Sequence, residues 1–192
     1  MTGIIDREIR QEREEKKMEK NKIKTIDITT TALMAALVFL GTYIFKIPTI
    51  SGYVHLGDCM ILLTVGLFGM KKGAIAGAIG AGLADLVGGF FFWVIPTLLI
   101  KCMWAFVMGA IMYKVMKGNK WGFIVGAVGG GVLHVIAYTV VRAFLYGGRT
   151  AIIEVPALTF QTVAGIVLGV VIYKVLEKSG VAGKICALGE QA

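Results

Sequence analysis

Residues 54–93 read VHLGDCMILLTVGLFGMKKGAIAGAIGAGLADLVGGFFFW, two apolar runs set back to back around Lys71 and Lys72. A helix crosses a hydrocarbon core about 30 Å thick with about 20 apolar residues. The first run, Val54 to Met70, is short and carries Asp58, whereas the second, Gly73 to about Trp93, carries Asp85. The junction Lys71-Lys72-Gly73 has space only for a tight turn. The stretch therefore predicts a helical hairpin whose bend meets a membrane surface with two positive charges.

Four more runs of similar character flank this hairpin. Asp27 to Lys46 precedes it and stops before Pro48, in a loop reading Ile-Pro-Thr-Ile-Ser-Gly-Tyr. A fourth begins near Pro96 and ends around Met116, a fifth runs from Trp121 to about Tyr146, and a sixth from Val155 to Leu176. Composition agrees: 57% of the 192 residues are hydrophobic and the mean hydropathy is +0.79, above a typical soluble domain. The segment Asp6 to Lys24 mixes both charge signs and reads as a solvated helix or tail. With no A-x-A-like site after the first apolar run, that run is expected to remain as a membrane helix.

Cytoplasmic loops are enriched in Lys and Arg. With the N-terminus inside, the leader, Lys71/Lys72, Lys114/Lys117/Lys120 and Lys174/Lys178/Lys184 all fall on the inner side, and only Lys46, Lys101, Arg142 and Arg149 fall elsewhere. The expected fold is an all-α membrane protein, a six-transmembrane-helix bundle with both ends in the cytoplasm (N-in/C-in). Residues 1–26 form a charged cytoplasmic leader, 27–177 the membrane domain and 178–192 a cytoplasmic tail. The net charge of +8 is thus a topology signal, not a nucleic-acid footprint. Cys59, Cys102 and Cys186 lack the spacing of a zinc site or disulfide framework and read as small buried or lipid-facing residues.

Depth along each helix is the most informative measure, at a rise of about 1.5 Å per residue. Counted from the nearest inner-side lysine, Asp58, Asp85, Lys101 and Gln161 each lie 13 residues in and His134 lies 14. Five polar residues on five helices fall in one layer roughly 20 Å above the inner boundary. Ionisable groups at such depth are costly and face the bundle interior or a water-filled cavity. Either they form ion pairs that fix packing, such as Asp85 with Lys101, or they line a ligand pocket open to the outside. The pocket is the stronger expectation, because helical spacing extends it: His134, Tyr138 and Arg142 share one face, as do Thr97, Lys101 and Trp104, and Glu154 and Gln161. Trp93 and its phenylalanine neighbours stand at the outer end of the third run, as aromatic belt or pocket wall. Carboxylates, cations and flat rings together suit a small, planar, polar solute.

Several classes are excluded or disfavoured. There is no G-x-x-x-x-G-K-[ST] phosphate loop, so the chain does not carry the usual nucleotide machinery. No nucleophile–base set and no H-E-x-x-H motif is present, and His55 and His134 are too isolated to argue a metal site. No catalytic residue, metal or cofactor is expected. Small residues four apart, among them Ala32 with Ala36 and Gly122 with Gly126 and Gly130, mark close helix contacts. Ala32 and Ala36, near the inner end of the first helix, are placed to seat a partner's helix.

The run Gly52-Tyr53-Val54-His55-Leu56-Gly57-Asp58, the stretch Leu-Phe-Gly-Met-Lys-Lys-Gly-Ala-Ile-Ala-Gly, Ala84-Asp85-Leu86-Val87-Gly88-Gly89 and Pro96-Thr97-Leu98-Leu99-Ile100-Lys101 resemble the substrate-binding S components of energy-coupling factor (ECF) vitamin transporters. The likeness covers about residues 27 to 177 and is nearest to the pyridoxine, hydroxymethylpyrimidine or riboflavin branch. It implies a multi-pass protein of a bacterial cytoplasmic membrane that captures a vitamin on the outer side. It also implies partners: a transmembrane coupling subunit, docked on the first helix at Ala32 and Ala36, and two ABC-type ATPases. The loop from Ile47 to Gly57 would close the pocket. The expected substrate-binding residues are His55, Asp58, Asp85, Trp93, Lys101, His134, Tyr138 and Gln161. Rival readings are a stand-alone proton- or ion-coupled carrier or channel subunit using Asp58 and Asp85, a membrane enzyme acting on lipid intermediates, and an assembly factor without ligand.

Overall fold

The computed structural model describes residues 25–183, so residues 1–24 of the charged leader, Cys186 and most of the tail lie outside the described residues. Helix α1 spans Thr25–Tyr43. A two-stranded hairpin, β1 (Ile47–Pro48) and β2 (Tyr53–Val54), leads into α2 (Asp58–Phe68), α3 (Met70–Val87), α4 (Phe91–Ala110), α5 (Gly122–Tyr146) and α6 (Gly148–Lys178). Four of these, α1, α4 with its continuation to Val115, α5 and α6, are long and apolar enough to cross a membrane. The protein is an all-α membrane protein in which α2 and α3 are shorter or more charged.

Helix boundaries differ from the sequence reading where glycine intervenes. Gly69, at φ 89°, makes the turn between α2 and α3, so Lys71 and Lys72 fall in the first turn of α3 rather than in the bend. Gly88 and Gly89 end the third helix early, Gly89 at φ 80°. Phe91, Phe92 and Trp93 consequently begin α4 instead of finishing α3. Pro96 and Pro156, expected at or near helix starts, sit inside α4 and α6. Proline is tolerated within spans where neighbours re-satisfy the freed backbone groups.

The half of the bundle nearer Lys71 and Lys114 is packed with apolar side chains. Val38, Ile61, Leu62, Val65, Trp104, Met108 and Phe123 form its core. Contact is close enough that a methyl group on Gly130 would lie 2.2 Å from the Trp104 ring, and one on Gly126 would lie 2.7 Å from the Met108 carbonyl oxygen. Such approach supplies the van der Waals packing that holds helices together in lipid. A π-helical turn, Ile111–Val115, ends the fourth helix and brings the Tyr113 hydroxyl to the Val65 carbonyl at 2.6 Å. A second, smaller cluster of Trp93, Ile100, Tyr138 and Leu158 sits in the other half. Between the two clusters lies the polar layer.

Candidate functional site

The hairpin pairs Ile47 with Val54 and Pro48 with Tyr53, and it roofs the polar end of the bundle. On one side it is tied to α6. Glu154, 3% exposed, accepts hydrogen bonds from the backbone N–H of Ser51, from the Ser51 hydroxyl at 2.8 Å and from the Thr49 hydroxyl at 3.1 Å. The same carboxylate pairs with Arg142 Nη2 of α5 at 3.1 Å. On the other side the Tyr53 phenol donates to Asp85 of α3. Burial and the neighbouring carboxylate both push the Tyr53 pKa up, so the phenol keeps its proton. Lys46 completes this side, donating to the Ala84 carbonyl at 3.4 Å with its Nζ 4.3 Å from the Tyr43 ring centre and 4.6 Å from that of Tyr53.

Under the roof is a cavity of about 40 Å³, enough for about three waters. Five of the eight residues expected from sequence line it: His55, Asp85, Trp93, Tyr138 and Gln161. Trp93 and Tyr138 form a stacked wall, ring centres 5.5 Å apart, and the Tyr138 hydroxyl donates to Thr97 at 2.9 Å. His55 takes the Gly57 N–H on Nδ1 at 3.2 Å, which places its remaining ring proton on Nε2. Burial pushes its pKa down to about 4, with opposing contributions from Asp58 and Lys101, so the ring is neutral near pH 7.

The other three, Asp58, Lys101 and His134, stand directly behind the cavity, with no exposed surface. Lys101 Nζ lies 2.5 Å from Asp58 Oδ1 and 2.9 Å from His134 Nε2. Because the ammonium can only donate, His134 accepts at Nε2 and donates from Nδ1 to Thr162 Oγ1 at 3.0 Å. That hydroxyl passes its own hydrogen to the Leu158 carbonyl at 2.8 Å. The partner of Lys101 is therefore Asp58, not the Asp85 that its depth equally allowed. The second Asp58 oxygen accepts from Gln161 Nε2 at 2.7 Å. This fixes the Gln161 amide with its nitrogen turned to Asp58, leaving the carbonyl oxygen as its group free to accept elsewhere.

Tyr53 and Thr42 also line the cavity and were missed by sequence reasoning. Tyr53 lay in a quoted loop motif, but nothing there shows a side chain folding back onto α3. Thr42 is one hydroxyl in an apolar helix and carries no signal of its own. Arg142 and Thr97, placed near the site by helical spacing, are in the lining.

Ala32 and Ala36 do not line this cavity. They are exposed on a wide groove of about 900 Å³ between α1 and α3, walled by Ile75, Ile79 and Leu83. Lys72 and Asp27 form an ion pair at one end of it.

Long apolar helices around a roofed polar hollow define a multi-pass membrane protein built to hold a solute. The chain matches the family described as ECF-type riboflavin transporter, S component, over residues 22–178. It belongs to that family, the S components of ECF transporters for vitamin uptake. It is 31% identical over 169 residues to the thiamine precursor transporter HmpT of Lactococcus lactis subsp. cremoris (strain MG1363), covering 86% of this chain and 95% of that one. It is also 38% identical over 125 residues to an uncharacterized protein in a gap 3'region of Pyrococcus woesei, covering 64% of this chain and 81% of that one. No solved structure matches the chain.

Proposed function

We propose that this chain captures a small, single-ring amino-heterocycle of the hydroxymethylpyrimidine kind at the outer side of the membrane. It then delivers the ring through a complex with an ECF coupling subunit and two ATPases. The observation that carries the reading is a set of acceptors held against an aromatic wall. The Asp85 carboxylate and the oriented Gln161 carbonyl face the same small space as the Trp93 and Tyr138 rings. A ring that offers N–H donors at its edge satisfies both acceptors while its face packs on the wall. Volume favours one ring over three: the hollow, about 40 Å³, must widen for either, and a three-ring flavin would require far more of the packed structure to part. The name of the Lactococcus lactis relative, thiamine precursor transporter, points the same way.

In this reading the chain crosses the membrane six times with both ends in the cytoplasm. The hairpin, the α3–α4 turn and the α5–α6 turn then share the outer end, while Lys71, Lys72, Lys114, Lys117 and Lys120 gather at the inner one. The groove at Ala32 and Ala36 receives the coupling subunit. Asp58, Lys101 and His134 act from behind, by holding Gln161. The chain itself performs no chemistry. A stand-alone carrier is disfavoured because Asp58 is already committed to Lys101 and Gln161; proton-driven uptake into vesicles by this chain alone would count for it.

Titration of the purified protein with hydroxymethylpyrimidine, pyridoxine and riboflavin tests the ligand. The pyrimidine should bind tightest, and Asp85→Ala should weaken it by about 10- to 100-fold, the worth of a hydrogen bond to a charged group. Preference for riboflavin, or unchanged binding by Asp85→Ala, would overturn the reading.

A further inference from the structure

Arg142 is 6% exposed and lines the cavity, yet only one of its three guanidinium nitrogens has a hydrogen-bond partner. Nη2 meets Glu154, whereas Nε and Nη1 are buried without an acceptor among the described residues. Thr42, 1% exposed and in the same lining, has a hydroxyl equally without a partner. Buried donors of a charged group are rarely left unmatched, because each forfeits its bonds to water. Here the unmatched groups border one hollow.

His55 adds to the pattern. Its proton sits on Nε2, since Nδ1 accepts from Gly57, and the group facing Nε2 at 3.4 Å is the Gln161 nitrogen. That nitrogen is itself a donor, committed to Asp58. The cavity therefore offers acceptors at Asp85 and Gln161 and a surplus of donors at Arg142, Thr42 and His55. An aminopyrimidine accepts at its two ring nitrogens, fewer than the four donor groups of this surplus, so part of the surplus calls for a further acceptor.

We infer that Arg142 is a specificity-determining residue that reads a second feature of the ligand, a neutral oxygen acceptor on a short arm of the ring. The inference rests on the aminopyrimidine reading and deepens it. The acceptor is a hydroxyl rather than a phosphate. The Arg142 charge is already opposed by Glu154, Asp85 adds a further carboxylate to the lining, and a phosphate would set two more negative charges beside them. The small volume acts in the same direction. Because Glu154 also holds Ser51 and Thr49, an oxygen seated on Arg142 lies one residue from the fastening of the roof.

The test is a pair of ligands against a pair of proteins. Purified wild-type chain and Arg142→Lys are titrated calorimetrically with the aminopyrimidine bearing a hydroxymethyl arm and with the same ring bearing a methyl group instead. Lysine keeps the charge opposite Glu154 but removes the Nε and Nη1 donors. Wild type should prefer the hydroxymethyl ring by about tenfold or more. In Arg142→Lys that preference should fall to about twofold or less, read as the ratio of the two affinities in each protein. Thr42→Val, which leaves the roof contacts in place, should lower the preference partially. Equal binding of the two rings by wild type would overturn the inference while leaving the aminopyrimidine reading intact, and so would undiminished preference in Arg142→Lys. Binding of neither ring by wild type would overturn both.

Discussion

Lys101 Nζ lies 2.5 Å from Asp58 Oδ1, and neither side chain reaches the surface. An ion pair this deep is weak evidence of stability in itself, but removing one partner leaves an uncompensated buried charge. Lys101→Met should destabilise the protein by about 3–5 kcal/mol. Asp58→Asn combined with Lys101→Met should recover much of that loss. Thermal unfolding in detergent measures both, and equal melting of the single and double variants would contradict the pairing.

The roof is fastened by one carboxylate. Replacing Glu154 with Gln removes its charge from Arg142 and weakens the bonds from Ser51 and Thr49. Hydrogen–deuterium exchange of residues 47–54 should quicken by about tenfold or more, given charge-assisted bonds worth 1.5–3 kcal/mol. Exchange within α4 should stay as it was. Unchanged protection of the hairpin would mean that the Tyr53 and Lys46 side alone keeps it in place.

His55 makes stability depend on pH. Its pKa is about 4 when folded against an ordinary 6.5, so between those values the unfolded chain takes up a proton that the folded chain refuses. The contribution is fully present above about pH 6.5 and is lost as pH falls toward about 4, amounting to about 3 kcal/mol. The melting temperature should drop across that window, and His55→Asn should flatten the drop. A profile identical in the two proteins would assign the acid sensitivity to other groups.

Ala32 and Ala36 line the groove between α1 and α3 and not the cavity, which allows the two to be separated. Leucine at Ala32 and Ala36 should abolish vitamin uptake by cells while leaving ligand binding by the purified protein within about twofold of wild type, since no cavity contact changes. Uptake at the wild-type rate would remove this surface from consideration as the docking face.

Counting residues from inner-side lysines placed Asp58, Asp85, Lys101, His134 and Gln161 at one depth, because helical rise is nearly constant and the positive ends are readable. The structure brings four of these into one hydrogen-bonded network and sets the fifth against Tyr53. Depth cannot distinguish between facing residues of equal height, so the choice of Asp58 over Asp85 for Lys101 was not legible. That choice depends on which helices neighbour α4 and how each is rotated.

Helix ends were less legible for a local reason. Prolines were read as starts, yet Pro96 and Pro156 lie well inside α4 and α6. The actual breaks are at Gly89 and Gly147, at φ 80° and 87°. In a chain with 26 glycines, most serve close packing, and nothing local marks the few that turn the backbone. The hairpin strands are two residues long and present no alternation to detect. The contacts of Glu154 with Thr49 and Ser51 join residues more than a hundred positions apart, beyond the reach of any periodicity.

The glycine contacts beneath the hollow bear on how a solute could ever cross. With Gly126 against the Met108 backbone and Gly130 against the Trp104 ring, not even an added methyl group fits between the helices at these two points beneath the hollow. These contacts give the hollow a floor, as in a thimble rather than a tube. In the reading proposed above, a solute held there would be released by these helices moving together rather than parting, and the work for that would come from the ATPases of the complex.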